Sequence, residues 1–139
     1  MLDKILLTLG ILLYAVVVPV LEINDSHVFN PAWVAHARIH EVWQLITNSS
    51  FGLLALWLSW KEAPNKSMAS VIALFVTGGF LAAYLLQGQY GGSMIHPDGS
   101  EKTLFGTNVG VIGFGWVFVT AIFTLMRAGR SGALPRSTL

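Results

Sequence analysis

Asn30-Pro-Ala-Trp-Val-Ala-His-Ala-Arg-Ile-His-Glu-Val-Trp-Gln-Leu-Ile-Thr-Asn48 opens a stretch that becomes plainly apolar towards Trp60. Asn30 reads as a helix N-cap and Pro31 as the first helical residue, where a missing N–H costs nothing. No proline follows until Pro64, so the pattern predicts one helix from Pro31 to Trp60. At 1.5 Å per residue that helix would be about 45 Å long. The hydrocarbon core of a bilayer is roughly 30 Å thick. The membrane portion is therefore expected over 42–60, with the first turns in the headgroup zone or bent into a protein interior.

Working outward, Ile5–Leu21 is apolar except for Thr8 and Tyr14. Its length is near the lower end of the roughly 17–25 residues that span a bilayer. Lys4 ahead of an apolar run also suits a cleavable signal peptide, but no clear Ala-x-Ala site follows, which favours a retained span. Downstream, Lys61–Ser67 reads as a polar turn and Met68–Leu86 as a third span. Its Gly78-Gly79 pair suits a kink or a close helix approach. Gln87–Thr103 reads as a Gly-rich loop and Leu104–Met126 as a fourth span. Gly106 and Gly110 have the spacing that lets helices approach closely. The basic tail from Arg127 reads as frayed.

Composition agrees with this pattern. Of 139 residues, 54% are hydrophobic and 11% charged, and the mean hydropathy is +0.65. Soluble domains carry about 25% charge, so this chain has too little polar surface to coat a water-soluble globule of its size. The expectation is an all-α, integral membrane four-helix bundle forming one domain over 1–139, with the lipid bilayer as its first partner. A net charge of +1 gives no case for nucleic acid. The chain has no cysteine, which excludes disulfides, thiolate metal sites and thiol nucleophiles.

Four spans put the N-terminus, the 61–67 turn and the C-terminal tail on one side. That side carries Lys4, Lys61, Lys66, Arg127, Arg130 and Arg136; the other carries Arg38 and Lys102. The positive-inside rule then places both termini in the cytoplasm, in a multi-pass protein of the cell membrane. All four histidines, His27, His36, His40 and His96, fall on the non-cytoplasmic side.

On the predicted helix, His36 and His40 are one turn apart and share a face with Trp33, Trp43 and Thr47. Gln44 and Asn48 continue the spacing, drifting about 40° per step. The result is a polar stripe descending from the interface into the membrane, where polar groups usually face the protein interior or a wet cavity. One use of it is acid–base work on an apolar molecule, of isomerase, cyclase or hydrolase type. His36 and His40 would be the acid and base, Glu41 their partner, and Gln44 and Asn48 hydrogen bonders. Trp33 and Trp43 would wall the pocket; the plain alternative for them, and the stronger one for Trp57 and Trp60, is an aromatic belt. Arg38 would hold an anionic head group or simply snorkel. Asn108, read as lying inside the fourth span, should face the bundle and bond to the Gln44/Asn48 stripe. Tyr90, His96 and Asp98 could lid the site, although Pro97-Asp98-Gly99 is also an ordinary turn sequence.

The second use is non-catalytic: an accessory subunit of a larger membrane complex, contacting a pigment, haem or quinone. The third is a metal held by His36 and His40, with His96 or Asp98 and then His27 as further ligands. The ordinary alternative is a pair of interfacial histidines. The sequence assigns no cofactor.

The run His27-Val-Phe-Asn30-Pro31-x-Trp33-x-x-His36-Ala37-Arg38-x-His40 resembles the signature of small uncharacterised four-helix membrane proteins grouped as a domain of unknown function. Leu104-Phe105-Gly106-x-Asn108 fits the same group. The resemblance implies the four-helix topology and the importance of the His-rich loop, and it brings no activity. A looser similarity, in fold and composition, is to the emopamil-binding and sterol-isomerase type of membrane protein. Their catalytic residues do not align position by position onto this chain, and none is carried over.

Overall fold

The structure, a computed structural model, describes residues 1–96 and 99–132. It is mostly helical: α1 (Leu2–Leu12), a π-helical turn (Leu13–Val17), α2 (Val18–Glu22), α3 (Ala35–Trp60), α4 (Lys66–Tyr90) and α5 (Val109–Gly132). The first three form one continuous rod. Three segments, Leu2–Glu22, Lys66–Tyr90 and Val109–Gly129, are long and apolar enough to cross a membrane, judged by length and composition. At 26 residues α3 matches them in length. Its first half carries His36, Arg38, His40, Glu41 and Gln44, with Asn48 just beyond, and it is not among the three.

The rods pack as a bundle. α4 lies along α5, α3 lies between the first rod and α4, and α5 closes against α1 from the other side. The core is built from Leu7, Ile11, Tyr14, Ala55, Ala69, Ala73, Val117 and Ala121, all essentially inaccessible. The alanines let the rods come close. Large apolar side chains instead cover the outside: Leu53, Phe75, Leu85 and Val119 are all exposed. An apolar exterior wrapped around a partly polar interior suits a lipid solvent rather than water.

Pro19 decides how the first rod meets α3. Proline has no N–H, so the carbonyl four residues earlier, on Ala15, loses its helical donor. Ser49 Oγ of α3 donates to that carbonyl at 2.9 Å. Beside it, a Cβ on Gly52 would lie 2.2 Å from the Ala15 Cβ, so only glycine permits this approach. The π-helical turn falls in the same place, where the ladder ahead of the proline is disturbed.

Several sequence expectations shift. Asn30 is buried and does not cap a helix. Its Oδ1 accepts from Ala32 N at 2.9 Å and its Nδ2 donates to the Ser26 carbonyl at 2.9 Å. These bonds fold 26–33 into turns, and α3 starts only at Ala35. α4 is longer than expected at both ends: Asn65 Oδ1 caps Met68 N, and Gly91, at φ 71°, ends the helix. Gly78 serves close approach, since a Cβ there would lie 3.1 Å from the Phe118 ring of α5, and α4 runs unbroken through it. Leu104–Asn108 is not helix. Thr103–Leu104 (β1) and Thr107–Asn108 (β2) pair antiparallel, turned by Phe105 at φ 52° and Gly106 at φ 76°. Gly106 and Gly110 therefore do not form a shared helix face. The tail expected to fray from Arg127 stays helical to Gly132.

The end of the bundle that holds the N-terminus is tied by charge and by tryptophan. Asp3 accepts from Lys66 Nζ at 2.5 Å and from the terminal amine at 3.1 Å. Trp60 Nε1 donates to Thr8 Oγ1 at 2.9 Å. Lys4 stands over the Trp60 ring and Lys61 over Trp57.

Two variants check the contact at Pro19. Ser49→Ala should cost about 1 kcal/mol by leaving the Ala15 carbonyl unpaired. Gly52→Leu should cost more, about 1–3 kcal/mol or outright misassembly. Thermal unfolding in detergent, followed by circular dichroism, should rank wild type above Ser49→Ala above Gly52→Leu.

Candidate functional site

The polar residues at the opposite end of the bundle come from four segments: the end of α2, the 23–34 connector, the start of α3 and the 91–102 loop. Helix arithmetic explains how α3 presents its share. Its buried positions begin with Leu45 and continue through Gly52, Ala55 and Ser59. At 100° per residue, Glu41 lies about 40° from Leu45, whereas His36 lies about 180° away and His40 about 140° away. Accordingly Glu41 is half-buried, while His36, His40, Trp43 and Gln44 are exposed. The expected stripe points away from the bundle. Arg38 and Asn48, about 20° and 60° from Leu45, fall towards the bundle, and Thr47 falls on the outward side; all three are partly buried.

The histidines form two pairs. His36 Nε2 and His40 Nε2 stand 3.1 Å apart, and the His40 ring leans on Trp43 with centroids 5.9 Å apart. His27 meets His96 edge to face at 5.2 Å and Trp33 at 5.9 Å. Among the described residues no three His, Asp or Glu side chains converge as a metal site. The expected set of His36, His40, His96 and His27 is therefore not assembled on one ion. Asp98, the other proposed ligand and lid residue, lies outside the described residues.

His27 is the most constrained of the four. Asn24 Nδ2 donates to the Leu21 carbonyl, which turns Asn24 Oδ1 towards Ser26. That oxygen accepts from Ser26 N at 2.7 Å and from Ser26 Oγ at 2.6 Å. Ser26 has now donated its only hydroxyl proton, so it accepts from His27 Nδ1–H at 2.8 Å. His27 Nε2 is left facing Glu22 Oε2 at 2.8 Å. A single proton must occupy that gap, on the carboxyl or on the ring. The two side chains are 24% and 25% exposed, so this proton is reachable from outside. Burial holds His27 below the ordinary histidine range; the positive potentials of His96 and Lys102 push the same way, and Glu41 opposes them. Burial raises the Glu41 carboxyl, helped by the charge of Glu22.

The remaining expected residues sit apart from this network. Asn108 lies in β2, outside the helix, and its partners are local. Its Nδ2 donates to Glu101 at 3.1 Å and its Oδ1 accepts from Gly110 N at 2.8 Å, starting α5. It does not join Gln44 or Asn48. Tyr90 donates to the Ala83 carbonyl at 2.8 Å. It lines a cavity of about 160 Å³ with Phe80, Tyr84, Gln87 and Met94.

Sequence reasoning passed over Glu22 and Ser26. The signal was there: Glu22 is the first acid after the apolar run and lies five residues before His27. Comparison of the chain with protein-family models, curated proteins and solved structures finds no match.

The network fixes a tautomer, which nitrogen NMR on histidine-labelled protein reads directly. A neutral His27 should carry its proton on Nδ1, with the shared proton on the Glu22 carboxyl. As pH falls it should charge only below the usual value of about 6.5, because burial disfavours the imidazolium. A neutral ring protonated on Nε2 would contradict the network.

Proposed function

We propose that this chain is a four-span protein of the cell membrane, with both termini cytoplasmic, whose outer end handles a hydrophobic small molecule by acid–base chemistry. The Glu22–His27 contact carries the reading. Two groups of different intrinsic basicity share one proton, and burial of His27 reduces the preference for the charged pair. Such a couple can give a proton to a substrate atom and take one back, which isomerisation, cyclisation and hydrolysis all require. The acid–base role expected of His36 and His40 passes to Glu22 and His27. His96 and Trp33 wall the shared proton, and Glu41 supplies the nearby negative charge that favours the imidazolium when it forms. The Trp33 face would stabilise a cationic intermediate.

A non-catalytic reading has one observation in its favour. The Tyr90 cavity, about 160 Å³, is smaller than the roughly 300–1,000 Å³ of small-molecule pockets. A neighbouring subunit could complete it, as an accessory protein contacting a pigment, haem or quinone would need.

Topology is supported by the cation distribution and by the length of α3. Since the chain contains no cysteine, single-cysteine labelling tests it cleanly. Asp25→Cys should react with a membrane-impermeant maleimide in intact cells, and Glu62→Cys only after permeabilisation. The opposite pattern would invert the orientation. For the site, native mass spectrometry of wild type, Glu22→Gln and His27→Gln compares co-purified small molecules. An apolar species on the wild type should fall at least about tenfold in both variants while their helicity is unchanged. Equal retention in all three would end the acid–base assignment.

A further inference from the structure

The His36–His40 pair takes no part in the Glu22–His27 network, yet its geometry is specific. The two rings are one helical turn apart and stand at 89° to each other, with their Nε2 atoms brought together at 3.1 Å. Imidazole nitrogen binds zinc at about 2.0–2.1 Å. At that length, nitrogens 3.1 Å apart subtend about 100° at a shared ion. That angle lies between the square-planar and tetrahedral ideals, so the spacing of the two nitrogens suits one ion once each ring turns its lone pair towards it. The helix holds the two backbones in register, and Trp43 packs on the His40 ring. Both side chains are exposed, which leaves the remaining coordination positions open to water or to a ligand.

We propose that His36 and His40 form a two-imidazole chelate for a borderline transition-metal dication, with Cu²⁺ preferred over Ni²⁺ and Zn²⁺. The preference follows the general order of stability for nitrogen ligands. Without metal, the 3.1 Å contact requires one Nε2 to carry hydrogen and the other to accept it. Loading the ion moves that hydrogen to Nδ1, so both Nε2 lone pairs face the metal, and no net proton is released. With only two protein ligands the site is coordinatively unsaturated. It suits capture or hand-over of an ion at the outer face, or binding of an anionic group to the open positions. The chelate is independent of the acid–base proposal, because His36 and His40 are turned about 140° and 100° around α3 from Glu41 and touch neither Glu22 nor His27.

The test uses the full chain in detergent, purified without a polyhistidine tag and titrated with Cu²⁺. The expected result is one ion per chain, an electron paramagnetic resonance spectrum with hyperfine structure from two imidazole nitrogens, and quenching of Trp43. Trp43→Phe should keep the ion and remove that part of the quenching. His36→Ala and His40→Gln should each weaken binding about tenfold or more, while the double variant His27→Gln/His96→Gln should bind as the wild type does. No stoichiometric binding would overturn the proposal. So would binding that survives both single substitutions, or binding lost in the double variant. Circular dichroism on each variant separates lost ligands from lost fold.

Discussion

Hydrocarbon offers no hydrogen-bond donors, so every backbone carbonyl within a membrane bundle needs a donor from the protein. Pro19 leaves one carbonyl, on Ala15, without its own. The donation from Ser49 meets that demand, and the missing side chain of Gly52 is what allows it. This contact sets the rotation of α3 against the first rod. The same rotation carries Leu45 and Glu41 inward and turns His36 and His40 outward. It also brings Glu22, three residues beyond Pro19, over the start of α3, where its charge reaches Glu41. The geometry of the histidine-bearing end is thus a consequence of a backbone vacancy in the middle of the bundle.

The helices were legible in the sequence because long apolar runs allow few alternatives. Boundaries were less so. Asn30-Pro31 carries a good helix-start signal, but the Asn30 side chain finds Ala32 N and the Ser26 carbonyl, and local turns win. Leu104–Asn108 read as helix because its turn residues are Phe105-Gly106 rather than the Asn-Gly that usually marks a tight hairpin. Neighbour relations on one helix were readable, and the His36–His40 pairing needed only the helical repeat. Which azimuth faces the bundle was not obvious from polarity. It was written in the small residues, Gly52, Ala55 and Ser59, which mark a packing face. His27 against His96 could not be read at all, since it depends on how two irregular connectors fold over the bundle end.

The histidine-bearing end therefore divides its polar groups by environment. On the inner side, Glu22, His27, Glu41 and His96 are close enough for their charges to set one another. On the outer side, His36 and His40 keep both Nε2 atoms accessible. The first arrangement favours holding and moving a proton, the second favours donating lone pairs to a cation. Identical imidazoles are given different chemistry by whether a connector folds them over the bundle end or α3 turns them outward.

The order of packing has a separate consequence for assembly. α1 rests chiefly on α5, the most distant helix in the chain, and on α3, and its first turn is tied to Lys66 at the start of α4. α4 and α5, by contrast, are neighbours in sequence and share the most extensive contact. A helical hairpin of α4 and α5 can form early from local encounters, while α1 has no complete surface to dock on until both exist. The middle of the first rod can dock on α3 early through Ala15 and Ser49, whereas the first turns of α1 are locked in place only once α4 and α5 are present.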